Sequence, residues 1–284
     1  MNAHTETTSH LSPIMRVMQF AARKGSRSLL RDFGEVEHLQ VARKGPADFV
    51  SRADKKAEEV IIENLERDRP GYSFLAEEGG EIVGSDKTHR FIIDPLDGTT
   101  NFLHGIPHFA ISIALEREID GNPKELVAGV VFNPITDEMF FAEKGKGAFL
   151  NDGTRGGADR RLRPAKRDIF QDSLFATGIP FLGRPGHAKF LKELHQVMGH
   201  SSGVRRMGSA ALDLAWTAAG RYDGFWERGL AVWDIAAGVL IAQEAGLMVE
   251  SLTGGDVLET GDIIVSNEAL MSCLLYTSDA ADDS

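Results

Sequence analysis

The apolar run Phe91-Ile92-Ile93 meets Asp94-Pro95-Leu96-Asp97-Gly98-Thr99-Thr100-Asn101-Phe102, and no other stretch of the 284 residues constrains the fold so tightly. A short apolar run closed by turn residues reads as a buried strand, here stopping at Asp94-Pro95. It delivers two carboxylates to the strand's end. Gly98 permits a tight turn, and Thr99 or Thr100 can cap a following helix. Backbone N–H groups at such a helix start form a cradle for phosphate. Asp-Gly alone is as well explained by a capped turn with solvated acids; the apolar lead-in and the full length of the string favour a site.

Three further acids stand in similar settings. Glu77 follows Ser73-Phe74-Leu75-Ala76, and Asp234 sits in Ala231-Val232-Trp233-Asp234-Ile235-Ala236-Ala237-Gly238. Asp54, on an amphipathic helix, reads by itself as a residue of the solvated face. An acid like Asp234 at the start of an apolar helix favours the helix dipole. Its neighbours also imply partial burial, which demands a cation, a metal or strong hydrogen bonds.

Apolar spacing predicts helices over residues 13–33 and 51–68, with a turn or hairpin around Lys44-Gly45-Pro46 between them. Strands are expected at 109–115, 126–132 and 138–142, with turns at Asn122-Pro123 and Asn133-Pro134; this spacing suits an antiparallel sheet. Strands at 173–177, 224–226, 247–250 and 263–265 then alternate with helices at 188–198, 209–219 and 233–245. Together these elements read as a layered α/β or α+β fold. Residues 1–272 form one bilobed unit with a soft boundary near Arg155. From Cys273 to Ser284 the chain resembles translated vector sequence and is set outside the fold, which would cut the closing helix short.

With 31 Lys and Arg against 42 Asp and Glu, the net charge of −11 argues against a nucleic-acid binder. It leaves an anionic substrate open, because bound metal reverses the local sign of a site. The single cysteine excludes a disulfide framework and a thiolate cage. No apolar run nears the roughly 18–20 residues that span a bilayer. The first twelve residues lack an apolar signal core, so a cytoplasmic protein is expected. His104 and His108 read as structural or solvated. The all-oxygen donor set selects a hard cation, of which Mg²⁺ is the abundant one.

In combination these strings resemble the inositol monophosphatase family of Mg-dependent, Li-sensitive sugar phosphatases, over about residues 13–271. The resemblance implies an alternating αβαβα sandwich and two or three Mg²⁺ ions. Glu77, Asp94, Asp97 and Asp234 match its metal-binding carboxylates, and Leu96 the position lending a backbone carbonyl. Asp54 and Thr99 match the residues that orient the nucleophilic water, whose ion Glu77 shares. Gly98 and Thr99 match its phosphate-binding N–H groups, Gly208-Ser209-Ala210 its sugar-site wall, and Glu227 the acid binding a substrate hydroxyl. The implied reaction is in-line attack of a metal-bound water on a phosphate monoester. Inositol 1-phosphate comes first; fructose 1,6-bisphosphate, histidinol phosphate and 3′-phosphoadenosine 5′-phosphate are alternatives. A regulatory binding protein with secondary catalysis is the alternative of another class. Arg205-Arg206 is the nearest basic pair for a second anionic group, though such a pair before a helix also reads as a surface or intersubunit salt bridge. The resemblance further implies a homodimer, built near Arg205 and the helix after it.

Overall fold

The computed structural model describes residues 11–33, 41–45, 48–118, 121, 123–153 and 158–279. Pro46, Asn122 and Arg155, at two expected turns and the expected lobe boundary, lie outside these residues, as do 1–10 and 280–284. The chain opens with α1 (Pro13–Phe33), the hairpin of β1 (Val41–Gly45) and β2 (Asp48–Ser51), and α2 (Arg52–Asp68). Next come β3 (Ser73–Ala76), β4 (Gly80–Ile82), β5 (His89–Asp97), the short helix α3 (Thr99–Leu103), and β6 (Ala110–Arg117). They are followed by β7 (Glu125–Asn133), β8 (Glu138–Glu143), β9 (Gly147–Asn151) and the two-residue β10 (Arg160–Arg161). The second part holds β11 (Leu174–Thr177), α4 (His187–His200), β12 (Gly203–Arg205), α5 (Ala210–Ala218), β13 (Gly224–Glu227) and α6 (Val232–Ala245). It closes with β14 (Met248–Ser251), α7 (Val257–Thr260), β15 (Ile263–Ser266) and α8 (Glu268–Asp279).

Two sheets organise these elements. The larger has eight strands in the order β10-β9-β8-β7-β6-β5-β3-β4, antiparallel except where β3 runs parallel to β5. The smaller has the order β12-β11-β13-β15-β14. The chain passes from one sheet to the other between Arg161 and Leu174, later than the boundary expected near Arg155.

Side chains alternate across the larger sheet, as the period of two requires. Phe91, Ile93, Ile111 and Ile113 pack on Met18 and Ala22 of α1 and on Ile61 and Leu65 of α2. Ile92, Ala110 and Ala114 face the other way, into a core with Ala236, Ala237 and Leu240 of α6. That core also takes Ala176, Phe225 and Val265 of the smaller sheet, so α5 and α6 lie between the sheets. Phe175, Trp226 and Ile264 fill the smaller sheet's far face, with Val197 of α4 and Leu270, Met271 and Leu274 of α8. The result is the alternating αβαβα sandwich. No helix among the described residues is long and apolar enough to cross a membrane.

Two expectations change here. The closing helix does not stop at residue 272: α8 runs to Asp279, and Leu274 is fully buried. Leu270, Met271, Leu274 and Leu275 carry one apolar stripe across the point where the sequence turns atypical. The helix after Arg205 offers no face for a partner subunit either, since all its residues except Trp216 are buried within the chain.

α6 can sit between two layers because its inner residues are small. A Cβ added to Gly238 would fall 2.7 Å from the Leu214 Cβ of α5. The Ala236-Ala237-Gly238 part of the string around Asp234 is therefore a packing device. Replacing Gly238→Val overpacks this contact and should cost about 1–3 kcal/mol. A thermal melt checks it: the variant should unfold several degrees below the parent chain, and an unchanged transition would contradict this packing.

Candidate active site

β5 does not stop at Asp94-Pro95; it continues to Asp97 through a kink. Asp94 pairs with Ser112 and Asp97 with Ala110, so three steps on β5 match two on β6. This is a one-residue bulge, and it falls where Pro95 has no N–H to give the ladder. In a regular strand Asp94 and Asp97, three apart, would point to opposite faces. The bulge turns both toward the face shared by Ser112 and Ala110, the side on which α6 packs. Ser112 Oγ marks that face by donating to the Trp233 carbonyl of α6 at 3.1 Å.

The remaining acids reach the same corner by separate routes. β3 runs parallel to β5 with Ala76 opposite Ile93, and Glu77 N–H donates to the Ile93 carbonyl at 3.1 Å, which sets Glu77 beside Asp94. Asp234 lies in the first turn of α6, where its Oδ2 accepts the Ala231 N–H at 2.8 Å. Asp54, which by itself reads as a solvated-face residue and by resemblance as one that orients water, is 1% exposed. It begins the buried stripe Asp54, Ala57, Glu58, Ile61, Leu65 of α2, a helical spacing visible in the sequence.

These carboxylates act on one another. Asp94 is 1% exposed, while Glu77, Asp97 and Asp234 are half-buried. Burial pushes the Asp94 carboxyl well above the usual range, and the charges of Glu77, Asp97, Asp234 and Asp54 push it further. Asp97 rises to about 6 through burial, against hydrogen bonds from Ser209 and the α5 backbone that favour its charge. Asp234 is likewise raised, by burial and then by the charge of Asp97. Among the described residues no three His, Cys, Asp or Glu side chains already stand in an arrangement that could hold an ion. Part of the donor set is engaged within the chain: Asp97 Oδ2 accepts Ser209 Oγ–H at 2.5 Å and Ala211 N–H at 2.8 Å. Asp97 thus docks on the N-terminus of α5, where the helix dipole favours an anion. Crowded carboxylates that raise one another's pKa, with no cysteine or imidazole among them, fit a hard divalent cation.

A cleft of about 460 Å³ opens beside this cluster. Asp97, Gly98, Thr99, Gly208, Ser209, Ala210, Glu227 and Asp234 all line it; Asp54, Glu77, Asp94 and Leu96 do not. Gly98 has φ of +94°, and a Cβ there would lie 3.1 Å from the His108 carbonyl oxygen, so only glycine fits. Thr99 Oγ–H donates to the Leu96 carbonyl at 2.9 Å. A bond from Thr99 to Asp54 requires that single hydrogen to turn. Leu96 N–H donates to Asp94 Oδ1 at 2.8 Å, closing the turn between the two aspartates.

The chain matches the model of the inositol monophosphatase family over residues 10–282. It is 56% identical over 264 residues to an inositol-1-monophosphatase of Rhizobium meliloti, covering 93% of this chain and 95% of the relative. The chain belongs to the inositol monophosphatase family. Its fold superposes on the crystal structure of the extragenic suppressor protein suhB from Bartonella henselae with a TM-score of 0.87, at 53% identity, covering 94% of this chain and 98% of that one. A further relative, the Nus factor SuhB of Escherichia coli, is 38% identical over 266 residues, 93% of this chain and 95% of its own. Membership makes the chain a phosphoric monoester hydrolase.

Most of the other residues that shape this corner and its cleft were not singled out in the sequence. Glu58, one turn after Asp54 and also buried, accepts the Glu78 N–H at 2.9 Å and so fixes the turn that carries Glu77. Asn101 Nδ2 donates to the carbonyls of His108 and Met207, each at 2.8 Å, and ties the α3 turn to the approach to α5. Arg184 lines the cleft; of the expected pair Arg205-Arg206, both exposed, Arg206 lines it and Arg205 does not. Arg228 pairs with Glu193 of α4 at 2.8 Å and braces the strand end bearing Glu227. Only Glu58 left a mark in the sequence, as a charge on an apolar stripe; the others are joined by contacts distant along the chain.

His108 is a structural histidine. Its ring lies edge-on to Trp216 at 5.1 Å, and its Nε2 is buried with no hydrogen-bond partner among the described residues. Burial lowers its pKa to about 4. The unfolded chain, with histidine near 6.5, therefore binds the proton first, and stability falls as pH drops from about 6.5 toward about 4. His108→Phe should remove on the order of 1–3 kcal/mol of that pH-dependent loss. Denaturant melts of both proteins at pH 7.5 and 4.5 measure it; parallel losses in the two would contradict a neutral buried His108.

Proposed function

We propose that the chain hydrolyses inositol 1-phosphate with the help of two or three Mg²⁺ ions. The observation that carries this reading is the convergence of Asp94, Asp97, Glu77 and Asp234 beside a cleft that Glu227 also lines. Glu77, Asp94, Asp97, Asp234 and the Leu96 carbonyl hold the ions. Bound Mg²⁺ supplies neutralisation of the phosphate charge and a more acidic water. The Gly98 and Thr99 N–H groups hold the phosphoryl oxygens. Thr99, its hydroxyl turned to Asp54, orients the incoming water in line with the ester bond; the water oxygen joins phosphorus as the bond to the sugar oxygen breaks, and one proton of that water ends on the departing oxygen, which leaves as the sugar hydroxyl. Gly208, Ser209 and Ala210 form the wall beside the sugar, and Glu227 accepts one of its hydroxyls. A cleft of about 460 Å³ suits one small sugar phosphate.

A cytoplasmic homodimer is part of the same reading. Exposed Leu182 and Leu191, before and along α4 and outside the cleft, are apolar side chains a second copy would cover. Light scattering at a single chain mass would remove the dimer. The relative named as a Nus factor keeps a regulatory binding role as a second reading. A variant that has lost its metal ligands yet still restores a deletion strain would favour that role.

Phosphate release from inositol 1-phosphate, fructose 1,6-bisphosphate, histidinol phosphate and 3′-phosphoadenosine 5′-phosphate tests the proposal. The expected result is release that needs Mg²⁺, is lost with EDTA, falls with Li⁺ and favours inositol 1-phosphate. Asp94→Asn should lower turnover at least about 100-fold, as loss of an electrostatic catalytic group does, with its melt preserved. A preference for another substrate would discard the inositol reading and keep the metal chemistry; near-normal turnover by Asp94→Asn would remove the metal assignment.

A further inference from the structure

Asp213 is a carboxylate to which the reaction above gives no task. It lies in α5 among Ala210, Ala211, Leu212, Leu214 and Ala215, all buried, and is itself 1% exposed. Its Oδ1 is buried without a hydrogen-bond partner among the described residues. The Thr217 hydroxyl uses the Asp213 backbone carbonyl instead, at 2.7 Å. Buried polar atoms are almost always bonded, and an acid in an otherwise apolar helix adds nothing that a leucine would not add to packing. Asp213 also lines the cleft, together with Glu227 and Arg206. The group that could satisfy it is therefore whatever fills the cleft.

The surroundings specify that group's chemistry. Burial and the charges of Glu227 and Asp97 raise the Asp213 carboxyl well above its usual range, and the charge of Arg206 acts the other way. A phosphoryl group would be repelled by this acidic wall. A hydroxyl would not, because it donates to a carboxylate and accepts from a protonated carboxyl. Glu227 lines the same cleft and is near enough for its charge to act on Asp213; a Cβ on Gly178 would fall 1.8 Å from Glu227 Oε1, so that carboxylate lies directly against bare backbone. Two carboxyl groups on one wall suit a polyol that presents two hydroxyls side by side.

We infer that Asp213 binds a second substrate hydroxyl next to the one taken by Glu227, and that the pair selects polyol phosphates. This rests on the substrate reading proposed above. A site built to hydrogen-bond a hydroxyl rejects ligands that lack it, because its buried polar group is then left unpaired. The test compares KM for inositol 1-phosphate with KM for phenyl phosphate, which has no ring hydroxyl. In Asp213→Leu the ratio of the two should rise about tenfold or more, and Asp213→Asn, which still bonds a hydroxyl, should restore most of it. A ratio unchanged in Asp213→Leu would overturn the inference. Should that variant fail to fold, inositol phosphates lacking single hydroxyls decide the matter on the unaltered chain. Two different deletions should each raise KM; if only one does, Asp213 binds nothing. Equal KM values for inositol 1-phosphate and phenyl phosphate in the unaltered chain would instead overturn the substrate reading beneath it.

Discussion

Like charges held close together in a half-apolar corner govern this molecule. Asp94 lies behind the cleft at 1% exposure, and Glu77, Asp97, Asp234 and Asp54 all raise its pKa. Such a cluster works against folding unless the scaffold fixes it from several sides at once. The scaffold does so with the bulge of β5, the parallel register of β3, the first turn of α6 and the N-terminus of α5. Each route is backed by buried apolar packing, which supplies the stability the acids subtract.

The same constraint explains the layering. α5 and α6 lie between the sheets, and their N-termini bring Ser209 and Asp234 to the end of β5. α6 can occupy that layer only because Ala236, Ala237 and Gly238 are small. Motif residues that resemble a catalytic signature therefore divide into acids that face the site and small residues that let the acids arrive there. Gly98 belongs to the second kind, since its left-handed backbone turns the chain from β5 into the wall of the cleft.

Much of this was legible in the sequence, and for physical reasons. The strands at 109–142 and the helices at 188–198, 209–219 and 233–245 obey simple apolar periods, and the structure places them within a few residues of those bounds. The short strands β9, β10 and β12 were not; β10 (Arg-Arg) and β12 (Gly-Val-Arg) carry no apolar run to mark them. Asp54 reached the site through the resemblance alone; by itself it read as solvated although its stripe with Ala57, Ile61 and Leu65 was present. Weighing one acid by itself hid the stripe. The segment from Cys273 was set outside the fold on its composition, while the spacing of Leu270 and Leu274 carries α8 through it to Asp279. Asn101 and Asp213 could not be assigned from sequence, since their surroundings are built from residues far along the chain.

The central claim is that carboxylate repulsion in this corner is a folding cost which a divalent cation relieves. Melting temperature against Mg²⁺ concentration, for the unaltered chain and for Asp94→Asn, tests it most directly. Without metal, Asp94→Asn should melt at or above the unaltered chain, because one repelling charge is gone. With rising Mg²⁺ the unaltered chain should gain stability in proportion to the logarithm of the ion concentration above its dissociation constant, and Asp94→Asn should gain little. A transition in the unaltered chain that ignores Mg²⁺, or an Asp94→Asn variant that melts well below it without metal, would contradict the account.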